Sequence, residues 1–130
     1  MNDPTDEARF TASWLHVMFI YGGMRIREPW RNPFLALVTD LGVRYGTRLR
    51  AGQSLSALGL SRSRSHGLSE DQASVWLHPH DGFILVGSRH LGDDIKNERL
   101  PMVVSDRLIE VIEALVRCPV TTPTDDYTDE

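Results

Sequence analysis

The pattern between residues 105 and 117 constrains the fold of this chain most, because apolar residues recur there at helical spacing. Five of them fall on one face of the predicted helix: Leu108, Ile109, Ile112, Leu115 and Val116. Ser105 is a suitable N-cap, and Pro119 stops the helix after its last turn. A helix with one apolar face is stable when that face is buried against a second layer of structure. The rest of the chain must therefore supply that layer.

Residues 83–87 are the best candidate for the second layer, because they form an apolar run that favours a β-strand. Two interpretations stay open for the residues before this strand. Ser69 and Gln72 form a capping-box spacing that would open a turn of helix. Alternatively, residues 73–77 form an antiparallel partner strand, connected through a turn at residues 79–82.

These elements predict an α+β fold, in which the amphipathic C-terminal helix packs on a small antiparallel sheet. A chain of 130 residues fits one domain, which we assign to residues 1–120. Residues 121–130 are predicted to form a disordered acidic tail. The core is expected to contain seven large apolar residues: Trp14, Phe19, Trp76, Ile84, Leu108, Ile112 and Leu115.

Residues 4–21 predict a helix, since three capping signals agree. Asp3 is a suitable N-cap, Pro4 suits the first helical position, and Gly22 suits the C-terminal cap. The alternative is a hairpin that turns at Gly22 and Gly23. We favour the helix.

The middle of the chain carries weaker signals. An Asn-Pro pair at residues 32–33 predicts the start of a short helix over residues 34–41, which Gly42 would stop. Residues 43–50 predict a strand, and residues 51–69 are expected to be the least structured part because they are rich in Ser, Gly and Arg.

The formal net charge of −4 is unevenly distributed. Residues 25–64 hold eight arginines and only two acids, whereas residues 70–113 hold nine acids and only four basic residues. Two interpretations stay open. Either the two blocks present separate charged faces to partners, or they fold against each other and are internally neutralised.

Residues 58–64 have a pattern similar to the turn and early recognition helix of helix-turn-helix proteins. Arg62, Arg64 and His66 would then face the phosphates or bases of DNA. The pattern departs from that family at Ser65, where a recognition helix buries an apolar residue. A DNA-binding regulator that uses Arg62 and Arg64 is the first alternative function.

His78 and His80 form the most enzyme-like cluster, because two residues that are two apart on a strand share a face. They suit a metal ion, with Asp81 or His90 as a further ligand, although Pro79 disturbs regular strand geometry. A metal-assisted hydrolase is the second alternative. The sequence holds no nucleophile elbow, phosphate-binding loop or dinucleotide-binding fingerprint.

Two family resemblances point to toxin control. Four residues and the C-terminal helix are similar to the C-terminal segment of Xre-type antitoxins that neutralise NAD-degrading toxins: Ala73, Trp76, Leu77 and Gly87. Four others resemble immunity proteins of NAD glycohydrolase toxins: Asp81, Gly82, Phe83 and Arg89. Each resemblance covers a minor part of the chain, and the prolines of the antitoxin pattern are out of register here. The resemblances imply a protein partner, and no functional residue is carried over from them.

The sequence predicts a non-catalytic bacterial binding module that neutralises a partner protein, of the antitoxin or immunity type, without a cofactor. Two features favour this prediction: the chain lacks a catalytic motif, and its acidic C-terminal half suits a basic toxin or enzyme. Asp93, Asp94 and Glu98 are the predicted contact residues, in a polar loop expected at residues 88–101. Nucleic acid stays open as a partner.

A cytoplasmic location is expected from three features. No apolar stretch reaches the roughly 18 residues that cross a bilayer. The first ten residues are acidic, unlike a secretory signal, and the single cysteine, Cys118, excludes an intramolecular disulfide.

Overall fold

The computed structural model describes residues 3–24, 27–65, 72–89 and 95–122 of the chain. Within these ranges the chain forms three helices and five strands, which confirms the predicted α+β class. In chain order they are α1 (Pro4–Gly23), α2 (Arg31–Tyr45), β1 (Arg50–Ser54), β2 (Ala57–Ser61), β3 (Ser74–His80), β4 (Phe83–Arg89), β5 (Lys96–Leu100) and α3 (Asp106–Val116).

The five strands form an antiparallel sheet in which each strand pairs with the next along the chain, in the order β1-β2-β3-β4-β5. The predicted pairing of residues 73–77 with residues 83–87 is confirmed, with Leu77 opposite Val86. Gly82 closes this hairpin at a φ of 84°, a conformation that glycine adopts without strain.

The two faces of the sheet have different environments. Alternate residues of the central strands are buried with α2 and α3 in one core cluster, and we call this side the inner face: Leu58, Leu60, Val75, Leu77, Ile84 and Val86. The opposite side, the outer face, carries a row of cross-strand partners that runs through all five strands: Gly52, Gly59, Trp76, Gly87 and Asn97.

Helix α3 has the predicted cap and the predicted buried face. Ser105 Oγ accepts a hydrogen bond from the Leu108 backbone N–H at 3.2 Å. Leu108, Ile112 and Leu115 are buried in the core cluster, as are Trp14 and Ile84. The helix therefore covers the inner face as its periodicity predicted.

Helix α1 confirms the helical interpretation of the N-terminal segment and excludes the hairpin. Its Asp3 cap accepts a hydrogen bond from the Thr5 backbone N–H at 2.7 Å. The predicted burial of Phe19 is wrong, because this side chain is 81% exposed while Val17 and Tyr21 face the core. Trp76 lies on the outer face and is only partly buried.

The predicted stop at Gly42 is wrong, since α2 continues through this residue to Tyr45. A Cβ atom at position 42 would lie 3.1 Å from Trp14 Cε3, so the glycine allows α1 to approach α2 closely. The predicted strand over residues 43–50 is also wrong, because only Arg50 belongs to a strand.

Residues 51–61 are not the unstructured region that their composition suggested. They contain nearly all of β1 and all of β2, joined by a tight turn in which Leu55 has a φ of 56°. The proposed capping box at Ser69 lies outside the described residues. Glycine and serine give these strands a low intrinsic preference for a sheet, and pairing with the neighbouring strands stabilises them.

The packed chain extends to Thr121, which is bridged to the segment after β2. Its backbone N–H donates to the Arg62 carbonyl at 2.9 Å, and its carbonyl accepts from the Arg64 N–H at 2.7 Å. Residues 123–130, the rest of the predicted acidic tail, lie outside the described residues. None of the helices in the described parts of the chain has the length and apolar character needed to cross a membrane.

We predict that Ile112→Ala lowers the free energy of unfolding by about 2–5 kcal/mol, because it leaves a cavity between α3 and the inner face. Denaturant unfolding measures this loss. Ile109→Ala, at a partly exposed position of the same helix, is the matched control and should cost less. A loss below about 1 kcal/mol for Ile112→Ala would mean that α3 is peripheral to the core.

Candidate functional site

A groove of about 630 Å³ lies between α1 and the outer face of the sheet, and we call it the α1 groove. It exists because α1 covers the edge strand β1 and leaves most of the outer face open. The Ala51 N–H donates to Ser13 Oγ at 2.9 Å, and Trp14 Nε1 donates to the Leu49 carbonyl at 2.9 Å. Side chains from α1, β1 and β3 line the groove, among them Arg9, Ala12, His16, Arg50 and Trp76.

The floor of the groove is formed by glycines and one indole ring. A Cβ atom at Gly59 would lie 2.6–2.7 Å from three consecutive atoms of the Trp76 six-membered ring. Such near-equal distances mean that the face of the ring, rather than its edge, covers Gly59. A Cβ atom at Gly52, the next residue in the row, would meet nothing within 4 Å. The backbone of Gly52 is therefore left uncovered beside the indole.

The wall of the groove carries two arginines, Arg9 and Arg50, of which only Arg9 lies near a carboxylate among the described residues. Burial lowers the pKa of the Arg50 guanidinium from its usual value, and the nearby charge of Arg9 lowers it further. Within the described ranges, Arg50 forms no ion pair with a carboxylate. Arg9 lies 3.9 Å from Asp6, which also binds Arg64 at 3.2 Å. An anion in the groove would relieve the repulsion between Arg50 and Arg9.

Ser13 lines the groove, but its hydroxyl is engaged in holding the fold. Ser13 Oγ donates to the Phe10 carbonyl at 2.6 Å and accepts from the Ala51 N–H. The hydroxyl thus joins α1 to the edge of β1. This arrangement is suited to positioning the groove and not to nucleophilic attack.

His78 and His80 lie on the outer face at the far end of β3, as their spacing predicted. The His80 ring stacks on Phe83, with centroids 4.8 Å apart, and the Arg99 guanidinium lies 3.7 Å from the centre of the same Phe83 ring. Among the described residues, no group of three His, Cys, Asp or Glu side chains is arranged to hold a metal ion. His90 lies outside those residues.

The helix-turn-helix interpretation of residues 58–64 is wrong, because residues 58–61 belong to strand β2 and residues 62–64 are not helical. Arg62 donates to the carbonyls of Arg48 and Cys118, at 2.6 and 3.0 Å. Arg64 forms an ion pair with the buried Asp6. Both arginines therefore hold the fold together, and His66 lies outside the described residues.

The predicted contact residues of the acidic loop divide into two groups. Asp93 and Asp94 lie outside the described residues. Glu98 lies on β5, which corrects the prediction of a continuous loop over residues 88–101. Both Glu98 carboxylate oxygens accept hydrogen bonds from Arg107, at 2.7 and 2.9 Å, and these bonds lower the pKa of Glu98. Glu98 is thus already neutralised within the chain.

The groove residues were missed by sequence reasoning, although one signal for them exists. Gly52 and Gly59 lie inside short segments of larger residues, and a glycine within a strand often marks a place where another group approaches the backbone closely. The position of α1 on the sheet edge depends on tertiary packing and has no local sequence signature. Arg9 and Arg50, 41 positions apart, are brought together only by that packing.

Comparison with known protein families, with curated protein sequences and with solved structures finds no match to this chain. The antitoxin and immunity-protein resemblances therefore stay predictions of the sequence. The geometry of the α1 groove and the charge of its arginines are the support for the candidate site.

We predict that Arg64→Gln lowers the free energy of unfolding by about 1–3 kcal/mol, because the buried Asp6 carboxylate loses its closest cation. Thermal or denaturant unfolding is the measurement. Arg44→Gln, at an exposed position of α2, is the control and should change stability by less than about 0.5 kcal/mol. If the two variants were equally stable, Arg64 would again be a candidate for contact with an external partner.

Proposed function

We propose that the protein is a non-catalytic binding module that holds an anionic ligand in the α1 groove. The observation that carries the proposal is Arg50, a partly buried guanidinium for which the described residues provide no carboxylate. Buried charges in proteins are normally paired, so an unpaired one inside a groove marks a place for a ligand of opposite charge.

The shape of the groove supports this proposal. Its volume of about 630 Å³ lies within the range of about 300–1,000 Å³ that is usual for small-molecule sites. Arg50 offers a planar set of donors that matches a phosphate or carboxylate in bidentate geometry. Arg9 and His16 lie on the α1 side of the same groove and add further donors.

We predict that Arg50→Gln weakens the binding of inorganic phosphate at least about tenfold, because hydrogen bonds to a charged partner contribute about 1.5–3 kcal/mol. The measurement is an NMR titration at low ionic strength that follows the Trp76 indole N–H and the Gly52 amide. Wild-type shifts should saturate, and the affinity should fall as salt is added.

Arg44→Gln is the matched control for this titration, because it removes the same charge from an exposed position outside the groove. Its affinity for phosphate should equal that of the wild type. Unsaturable shifts in the wild type, or the same loss in both variants, would contradict an anion site at Arg50.

Neutralisation of a partner protein is the second candidate function, and exposed apolar side chains favour it. Leu15 and Phe19 are one turn apart on α1 and are 68% and 81% exposed, and Val43 on α2 is 83% exposed. Exposed apolar side chains that lie close together are typical of protein interaction surfaces. Asp93 and Asp94, the contact residues expected from the sequence, are the competing candidates, and a cytoplasmic location remains part of this proposal.

We predict that a protein partner co-purifies from the native host with the wild type and is lost with Leu15→Asp and Phe19→Asp. Mass spectrometry identifies the partner, and its inhibition by the purified protein is then assayed. Leu55→Asp, at another exposed apolar position, is the control and should retain the partner. Loss with Asp93→Arg and Asp94→Arg instead would assign the contact to the acidic loop. Failure to recover any partner would contradict this second function.

A further inference from the structure

The uncovered part of the α1 groove has a defined place next to an aromatic ring. Trp76 projects from β3 across Gly59 of β2, so the far end of its indole faces the neighbouring strand β1. The next backbone in that direction is Gly52, which no atom covers. Ala12 and His16 of α1 line the opposite side. The space over Gly52 is therefore bounded by an indole on one side and a helix on the other.

A flat ring suits this space better than a branched aliphatic group does. A glycine backbone allows the closest approach of any residue to a ligand, and the approaching ring also meets the edge of the Trp76 indole. Aromatic pairs favour offset or edge-to-face contacts of this kind. The backbone of Gly52 and the indole together form a site for a second aromatic ring.

Arg50, the charged residue of the groove, lies on the same strand as Gly52. Arg50 and Gly52 are two residues apart on β1 and face the same side of the sheet, which separates their Cα atoms by about 6.6 Å. Both residues line the α1 groove, so one ligand can place a phosphate on Arg50 and a ring over Gly52.

We infer that the ligand of the α1 groove is an aromatic phosphate of the size of a nucleoside monophosphate, with its ring over Gly52 beside Trp76 and its phosphate on Arg50 and Arg9. The inference rests on the proposed function, since it takes the anion site at Arg50 as given. It adds the aromatic half of the ligand and the residues that select it.

Gly52→Val provides the sharpest test, because it fills the space without disturbing the fold. A Cβ atom there meets nothing within 4 Å, the backbone φ is not positive, and valine favours strands. The unfolding midpoint should therefore stay at or above that of the wild type. Gly52→Ala is a milder second variant, and Asn97→Val places the same side chain at the exposed far end of the same row as a control.

Calorimetric titration with adenosine monophosphate, ribose 5-phosphate and adenosine tests the inference. We expect the wild type to bind adenosine monophosphate at least tenfold more tightly than ribose 5-phosphate, and adenosine more weakly than either. Gly52→Val should reduce the affinity for adenosine monophosphate to that for ribose 5-phosphate or below, with a smaller loss for Gly52→Ala and no loss for Asn97→Val.

The outcomes separate this inference from the function on which it rests. Equal binding of adenosine monophosphate and ribose 5-phosphate to the wild type, with loss of both in Arg50→Gln, would overturn the aromatic half and keep the anion site. Unchanged affinity for adenosine monophosphate in Gly52→Val would also overturn it. No binding of inorganic phosphate or of any of the three probes would overturn both.

Discussion

The contact between α1 and the edge strand β1 determines the shape of the whole surface. The Ser13 hydroxyl binds the Ala51 N–H, and the Trp14 indole binds the Leu49 carbonyl, so the helix satisfies backbone groups at the open edge of the sheet. An uncovered edge strand is a place where chains aggregate, and a helix across it removes that risk. Because α1 packs along the edge strand β1, it leaves most of the outer face open, and the α1 groove lies beside it.

The arginine-rich segment is only partly engaged within the fold, and of its described arginines only Arg48 pairs with a carboxylate of the acidic block, so both charge interpretations stay open. Arg48 pairs with Glu113 of α3 at 3.4 Å, Arg64 pairs with Asp6, and Arg62 binds two backbone carbonyls. Each of these contacts joins segments that are far apart in sequence. Arg50 differs from these three, because it pairs with no carboxylate among the described residues and its neighbour Arg9 increases its electrostatic cost.

Sequence reasoning succeeded where one local rule and the tertiary environment agree. In α3 the apolar spacing, the Ser105 cap and the buried inner face all point to the same helix. It failed where packing overrides the local rule. Gly42 carries the signal of a helix stop but serves as a contact for Trp14, and Phe19 belongs to a capped helix yet faces outward. The glycine- and serine-rich β1 and β2 lack a strand pattern, and their pairing with neighbouring strands determines their conformation.

The glycines of β1 and β2 weaken the strand signal in the sequence, and the same glycines form the floor of the α1 groove. A strand with small residues on one face has low intrinsic preference for a sheet, and its stability comes from the neighbouring strands and from α1. Gly59 is needed because the Trp76 ring occupies the place of a side chain. No such packing requirement applies to Gly52, whose Cβ position is empty. In the function proposed above, a ligand over this position explains the choice of glycine, because Gly52 costs strand stability and meets no packing need. Gly52, more than Arg50, then distinguishes the proposed specific site from a charged surface.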